Sequence, residues 1–339
     1  ACSLGGKPMT PRLTFRIPVP AVLAVAAVAV AAALSAGPAR AAGEVKITPL
    51  GSHEGEFCRQ DRALIFEDPD GTRLLYDPGR TVAGGTDPRL GKIDAVLVSH
   101  MHGDHAGDRH LPAPGAGTCA KPDVSAKATP NTSAVNIALA TGAKIVTGSE
   151  MPKFFAGKLK ALGGDPKNSV LVRFGASTKV GGVTITTVPA VHSNGVAGAM
   201  VGGDLGKMLD ASGLTAYAGP PTGYVLTFSN GLVTYLSGDT GMTAEQKTVV
   251  GDHYKAQLAV MNIGDTYTTG PMEAAYVIND LIKPASVIAS HANETGTEGG
   301  KVVGKRTLTF MKAAKVPVHI PLSGRTMSFD GAGKCTAGC

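Results

Sequence analysis

The chain has 339 residues, enough for one large domain or two small ones, and its 43% hydrophobic content supports a real core. Charged residues make up 17% with no long acidic or basic run, which excludes a largely disordered chain. The net charge of +6 is uneven: Lys7, Arg12, Arg16 and Arg40 fall in residues 1–42 with no acid, the remainder is close to balance, and nothing there argues for a nucleic-acid partner.

Met9 opens an export signal. Arg12 and Arg16 form its positive end, Ala21 to Leu34 its apolar run, and Pro38-Ala39-Arg40-Ala41 its small-residue cleavage site. A membrane anchor is the alternative, but the run is short for the ~20 residues a span needs. Residues 1–41 are therefore expected to be a leader and cleaved signal. The mature protein is expected to be periplasmic or secreted, with no membrane attachment. Residues 42–330 should form one domain and 331–339 a Gly/Cys-rich tail. Cys58, Cys119, Cys335 and Cys339 remain after cleavage, an even number suited to an oxidising compartment. Three pairings are open. Cys58 with Cys119 and Cys335 with Cys339 is preferred, the last two being close in sequence.

Val45 to Pro49 reads as a first strand. Ala63–Phe66 and Arg73–Asp77 read as a hairpin about Asp68-Pro69-Asp70-Gly71. The apolar run Ala95 to Val98 has the β-branched content of a buried strand. It breaks at Ser99, and His100, His102, Asp104 and His105 follow within six residues, with Gly103 allowing a tight turn. Imidazole and carboxylate together suit zinc and similar ions. Residues 110–131 are Pro/Gly-rich and predict a long loop. Ser133–Ala140 predicts a short helix, Lys144–Thr147 a strand, and Glu150 to Leu162 a helix. Val180 to Val188 predicts a hairpin about Gly181-Gly182, and its second strand runs on to His192. Residues 193–222 read as a second irregular loop. Asn230-Gly231 marks a hairpin between Tyr224–Phe228 and Leu232–Leu236. Its second strand ends at Ser237-Gly238-Asp239. A helix over 244–254, a strand Leu258–Asn262 and a helix opened by Pro271 follow. The apolar strand Ser286–Ser290 ends at His291, and a helix from about Lys301 to Ala313 and two short strands complete the domain.

Four apolar strands thus end at a possible ligand: the His100 cluster, His192, Asp239 and His291. In layered α/β folds, sites form where strand C-terminal ends converge. His53 is a further pocket residue by its place after the first strand. His110, Asn293 and Tyr267 are weaker choices, and His253 and His319 read as structural or exposed.

On these motifs the sequence resembles the metallo-β-lactamase superfamily. The complete H-x-H-x-D-H at His100 to His105 carries most of the resemblance, followed by V-P-A-V-H at His192, L-S-G-D-T at Asp239 and A-S-H at His291. The segment G-P-M-E-A-A at Gly270 is most similar to the branch around L-ascorbate-6-phosphate lactonase, whose usual Gly-Gly is here Gly264-Asp265. The resemblance implies an α/β fold, an αββα sandwich of two mixed β-sheets flanked by helices. It implies that His100, His102 and His192 hold one divalent metal, that Asp104, His105 and His291 hold a second, and that Asp239 bridges them. Asp77 resembles the acid that orients a ligand from behind. The metals would be Zn2+ first, with Mn2+ or Fe2+ as alternatives. A metal-bridging hydroxide would attack an ester, lactone or phosphoester of a small molecule, with Asp104 as the catalytic carboxylate. β-Lactam hydrolysis and an iron-dependent oxidoreductase on the same fold are the competing activities. Dedicated zinc β-lactamases carry Cys or Ser at the place of Asp239.

Overall fold

The computed structural model describes residues 43–339, so the expected leader and signal in residues 1–41 lie outside them. Two mixed sheets carry the fold. The first runs, edge to edge, through Cys335–Ala337, Met327–Phe329, Val45–Pro49, Leu64–Glu67, Arg73–Tyr76, Ala95–Leu97, Lys144–Thr147 and Ser169–Leu171. The second runs through Val318–His319, Ser286–Ser290, Leu258–Asn262, Val233–Leu236, Thr222–Thr227, Val183–Pro189 and Ser177–Val180. Each has an antiparallel half and a parallel half. Pairing turns parallel between Arg73–Tyr76 and Ala95–Leu97 in the first sheet, and between Val233–Leu236 and Leu258–Asn262 in the second.

Both faces of the central strands are buried, which is why they read as continuous apolar runs rather than alternating ones. Side chains still alternate in direction. Ala95 and Leu97 join Phe66, Leu74, Tyr224, Leu226, Val260 and Ile288 in the core between the sheets. Val96 and Val98 point the other way, onto Val135, Ile137, Phe155 and Leu159 of the helices Ser133–Thr141 and Met151–Ala161. On the far side, Val225, Ala259 and Val287 pack against Ala274, Val277, Ile278 and Phe310. The helix bearing the first three runs from Pro271 through Ile282, and Phe310 lies on Lys305–Ala313. These layers make the αββα sandwich that the motifs implied. Each large side chain fully buried in them contributes roughly 1.5–3 kcal/mol.

Single residues set the local backbone at several element ends. The Thr132 hydroxyl accepts from Val135 N–H (3.2 Å) and Gly142, at φ 72°, stops that helix. The hairpin at Asn230-Gly231 forms, with Gly231 at φ 88°.

Three readings need correction. Residues 193–222 are not irregular: Gly195–Val196 pairs with Ala216–Tyr217 around two helices, Gly198–Val201 and Gly203–Ala211. Their glycines lower helix propensity, which hid them, but serve a close crossing: a Cβ on Gly206 would lie 2.3 Å from the Gly198 carbonyl oxygen. The helix expected from Lys301 starts only at Lys305, because Gly299 and Gly300 turn Thr297–Glu298 back onto Lys301–Val302. The composition-defined tail 331–339 is part of the domain, since Cys335–Ala337 forms the edge strand beside Met327–Phe329. Both preferred disulfides, Cys58–Cys119 and Cys335–Cys339, are present. Among the described residues no helix is long and apolar enough to cross a membrane.

Candidate metal centre

Four strand ends from the two sheets converge at one rim. Ala95–Leu97 leads into His100 and then into a single wide turn, Gly103–Gly107, closed by Asp108 N–H on the Gly103 carbonyl (3.2 Å). This turn aims His102, Asp104 and His105 at the strand end. It rests on Asp77-Pro78-Gly79: Gly79 N–H donates to the His105 carbonyl (2.9 Å), and a Cβ on Gly79 would lie 2.3 Å from the Asp104 carbonyl oxygen. Val183–Pro189 delivers His192, Val233–Leu236 delivers Asp239 and Ser286–Ser290 delivers His291.

The seven expected ligands meet there. His100, His102 and His192 form one group, and Asp104, His105 and His291 another. His102 Nδ1 lies 3.0 Å from His100 Nε2 and 3.3 Å from His192 Nε2. Those separations suit three nitrogens on one tetrahedral ion, whose edges are about 3.3 Å at the usual Zn–N length. Asp239 stands between the groups. Its Oδ1 is 3.3 Å from His105 Nε2, and its Oδ2 is 3.2 Å from His291 Nε2, 3.6 Å from His192 Nε2 and 3.8 Å from His100 Nε2. His105 Nε2, His291 Nε2 and Asp239 Oδ1 are buried with no hydrogen-bond partner. Native interiors rarely leave such atoms unsatisfied, so this donor set fits a cation.

Residues behind the ligands fix which nitrogen points inward. Asp77 Oδ2 accepts from His105 Nδ1–H (2.7 Å) and from the Ser99 hydroxyl (2.7 Å). The Ser99 hydroxyl, having given its proton to Asp77, accepts from His100 Nδ1–H (3.0 Å). Nε2 of both rings is therefore left for the centre. Ser193 Oγ lies 3.3 Å from His102 Nε2, leaving Nδ1 of that ring inward. The buried Asn194 accepts from Met101 N–H (2.8 Å) and ties the two histidine loops together. The Asp239 loop is held by Gly238 N–H on the Tyr76 hydroxyl (2.9 Å) and by Asn262 Nδ2 on the Thr240 carbonyl (3.1 Å).

Electrostatics sort the ionisable groups. Burial, with the neighbouring His105, holds His100 well below its ordinary pKa. Burial also opposes charge on His105, yet Asp239, Asp77 and Asp104 outweigh it and lift its pKa to about 10. Burial would raise Asp104, but the Arg62 guanidinium and His105 hold it well below the carboxylate range. Burial would likewise raise Asp239, and His105 and His291 reverse it.

A cavity of about 450 Å³ opens over the cluster. Asn293 and Tyr267, weak choices from sequence, both line it. So do Arg59, Gln60, Arg62, Arg80 and Arg306, which sequence reading missed because an isolated arginine beside a strand carries no periodic or spacing signal. His53 is not in the cavity wall. Its ring lies 3.2 Å from both Ser52 Oγ and the Gly117 carbonyl oxygen, so it braces the loop that Cys119 anchors. His110 donates from Nδ1 to the Leu111 carbonyl (2.7 Å), with its ring against Gly84. His319 lies beside the Cys335–Cys339 bridge, whose sulfurs are committed to each other.

A two-sheet sandwich with two ligand groups at converging strand ends defines a metallo-hydrolase scaffold. Residues 72–292 match the "Beta-lactamase superfamily domain" family. A UPF0173 metal-dependent hydrolase of Cupriavidus taiwanensis is 30% identical over 296 residues, 85% of this chain and 88% of the relative. One of Koribacter versatilis is 30% identical over 226 residues, 66% of this chain and 77% of the relative. A metallo hydrolase from the archaeon Ignicoccus hospitalis superposes with a TM-score of 0.54 at 22% identity, covering 85% of this chain and 99% of that one. The metallo-β-lactamase fold protein YhfI of Bacillus subtilis gives 0.52 at 15% identity, covering 84% and 99%. The chain belongs to the metallo-β-lactamase superfamily, as one of its metal-dependent hydrolases.

Proposed function

We propose that the chain is an exported hydrolase that holds two divalent metal ions, zinc by preference, and cleaves an ester, lactone or phosphoester of a small molecule. The observation that carries this reading is the Asp239 carboxylate, within 3.8 Å of ring nitrogens from both ligand groups. His100, His102 and His192 would hold one ion, Asp104, His105 and His291 the other, and Asp239 would be shared. When bound, a metal pair of this kind supplies Lewis acidity and a water acidic enough to attack at neutral pH.

The chain's own residues prepare that chemistry. Asp77 and Ser99 fix the ring orientation of His105 and His100. Arg62 keeps Asp104 ionised, so Asp104 is a carboxylate able to orient a water. The cavity over the cluster would seat a small-molecule substrate beside the ligand groups. Export draws support from the Cys58–Cys119 bridge, which belongs in an oxidising compartment.

The test is metal analysis of the purified protein together with turnover of a panel of esters, lactones, phosphodiesters and β-lactams. Two zinc ions per chain, turnover of an ester-type substrate, and joint loss of metal and activity in His102→Ala are expected. Bound iron with oxygen uptake, or full activity in His102→Ala, overturns the reading.

A further inference from the structure

The cavity over the cluster is rich in guanidinium groups, although lysine is the commoner base in the chain. Two of its four arginines are already committed. Arg62 pairs with Asp104 (2.8 Å), and Arg80 forms a two-point pair with Asp108 (2.8 and 3.1 Å). The other two differ. Arg59 is exposed, Arg306 is half-buried, and neither pairs with a carboxylate among the described residues.

These groups form one wall. Arg62 Nη2 donates to Asn293 Oδ1 (2.9 Å) and its Nη1 to the Arg59 carbonyl (3.3 Å). Arg306 Nη1 donates to the Asn293 carbonyl (3.4 Å). The wall adjoins the Asp104–His291 side of the cluster, since Arg62 and His291 Nε2 both contact Asp104 Oδ2 (2.8 and 3.4 Å). Asn293 holds its place in left-handed backbone (φ 56°), with its amide against Gly264, where a Cβ would lie 2.6 Å from Nδ2. Backbone of this kind is kept where neighbours over-determine it. Of the two other acids on the cavity lining, Asp239 faces His105 and His291 (3.3 and 3.2 Å), and Asp265 is exposed and accepts from Thr266 N–H (2.8 Å). Two arginines therefore line the cavity with no protein carboxylate paired to either guanidinium among the described residues. A guanidinium's planar fork matches carboxylate and phosphate oxygens, which a lysine does not.

We propose that Arg59 and Arg306, steadied by Arg62 and Asn293, form an oxyanion-recognition subsite beside the metal-ligand cluster. The substrate then carries a carboxylate or phosphate group apart from the bond that is cleaved. This rests on the hydrolase reading for the word substrate, but the subsite itself is a property of the wall.

Binding calorimetry on the metal-free and the zinc-loaded protein tests it, with glutarate and phenyl phosphate as anionic probes and glutaramide as the neutral control. Both anions should bind the metal-free protein at least tenfold better than glutaramide. Arg306→Gln should weaken that binding about tenfold at unchanged thermal midpoint, and Arg306→Lys should restore part of it. The tighter of the two anions identifies the natural group. Anion binding that appears only with zinc and is the same in Arg306→Gln overturns the proposal, as does equal binding of glutaramide. Absence of turnover for every ester, lactone and phosphoester, with Arg306-dependent binding intact, counts against the hydrolase reading and leaves the subsite standing.

Discussion

Arg62 Nη2 lies 2.8 Å from Asp104 Oδ2, and the side chains are 4% and 23% exposed. A buried guanidinium is thus committed to a carboxylate that also belongs to the candidate metal-ligand cluster. Arg62→Met removes the guanidinium from Asp104 and leaves only His105 and His291 beside the carboxylate. The metal-free variant should lose stability towards the lower part of the ~3–5 kcal/mol seen when one partner of a buried pair is removed. Metal should recover much of that loss, because a cation then faces Asp104. Chemical denaturation with and without metal reads both numbers; equal losses in the two states would remove Arg62 from the cluster.

Asp77 holds His105 by its Nδ1–H and, through Ser99, holds His100. Asp77→Asn places an amide where two donors point. Metal affinity should fall by about 10–100-fold, measured by competition with a chelator, while the fold persists. Asp77 also sits at φ 40°, a conformation asparagine tolerates, so the substitution isolates the charge and not the backbone.

The metal-free protein should show a pH optimum of stability set by opposing histidines. His105 has a folded pKa raised to about 10, above its unfolded value. Its contribution is complete below pH ~6.5 and is lost as pH rises towards 10. His100, His102 and His192 are lowered by burial, so their unfolded forms take up protons more readily. Their effect is a loss of stability as pH falls below ~6.5. Thermal midpoints of the metal-free protein should peak near neutrality and decline on both sides. Metal should flatten the alkaline limb, since a ligating His105 gives up its proton, and metal affinity should climb with pH.

The Cys58–Cys119 bridge closes a loop of 61 residues in sequence separation. Cys119→Ser should cost about 4 kcal/mol by the chain-entropy argument. It should also free the segment 110–127, whose Gly117 carbonyl is braced by His53. Proteolysis should cut that segment first in the variant, while metal content stays unchanged, because His53 lies outside the cluster.

The candidate ligands were legible in the sequence for a physical reason. A buried strand is a run of apolar residues, and a metal ligand at its end is an abrupt polar residue, so His100, His192, Asp239 and His291 each stood against a clear background. The sandwich was implied by the family resemblance that the motifs at those strand ends carry. Arg62 and Ser99 were not legible. Arg62 acts on Asp104 and Asn293, and Ser99 on Asp77 as well as its neighbour His100, so the partners that give each its role lie far away in sequence and neither leaves a local pattern. The helices over 198–211 were hidden by the glycines that let them cross.

Each ligand group draws on both sheets. His100 and His102 follow a strand of the first sheet, and His192 follows one of the second; Asp104 and His105 are matched in the same way by His291. A metal ion held by either group would therefore act as a rivet across the interface between the layers. The cluster is complete only once the sheets have docked, so metal capture belongs late in folding. Removing metal should speed unfolding and leave the refolding rate nearly unchanged.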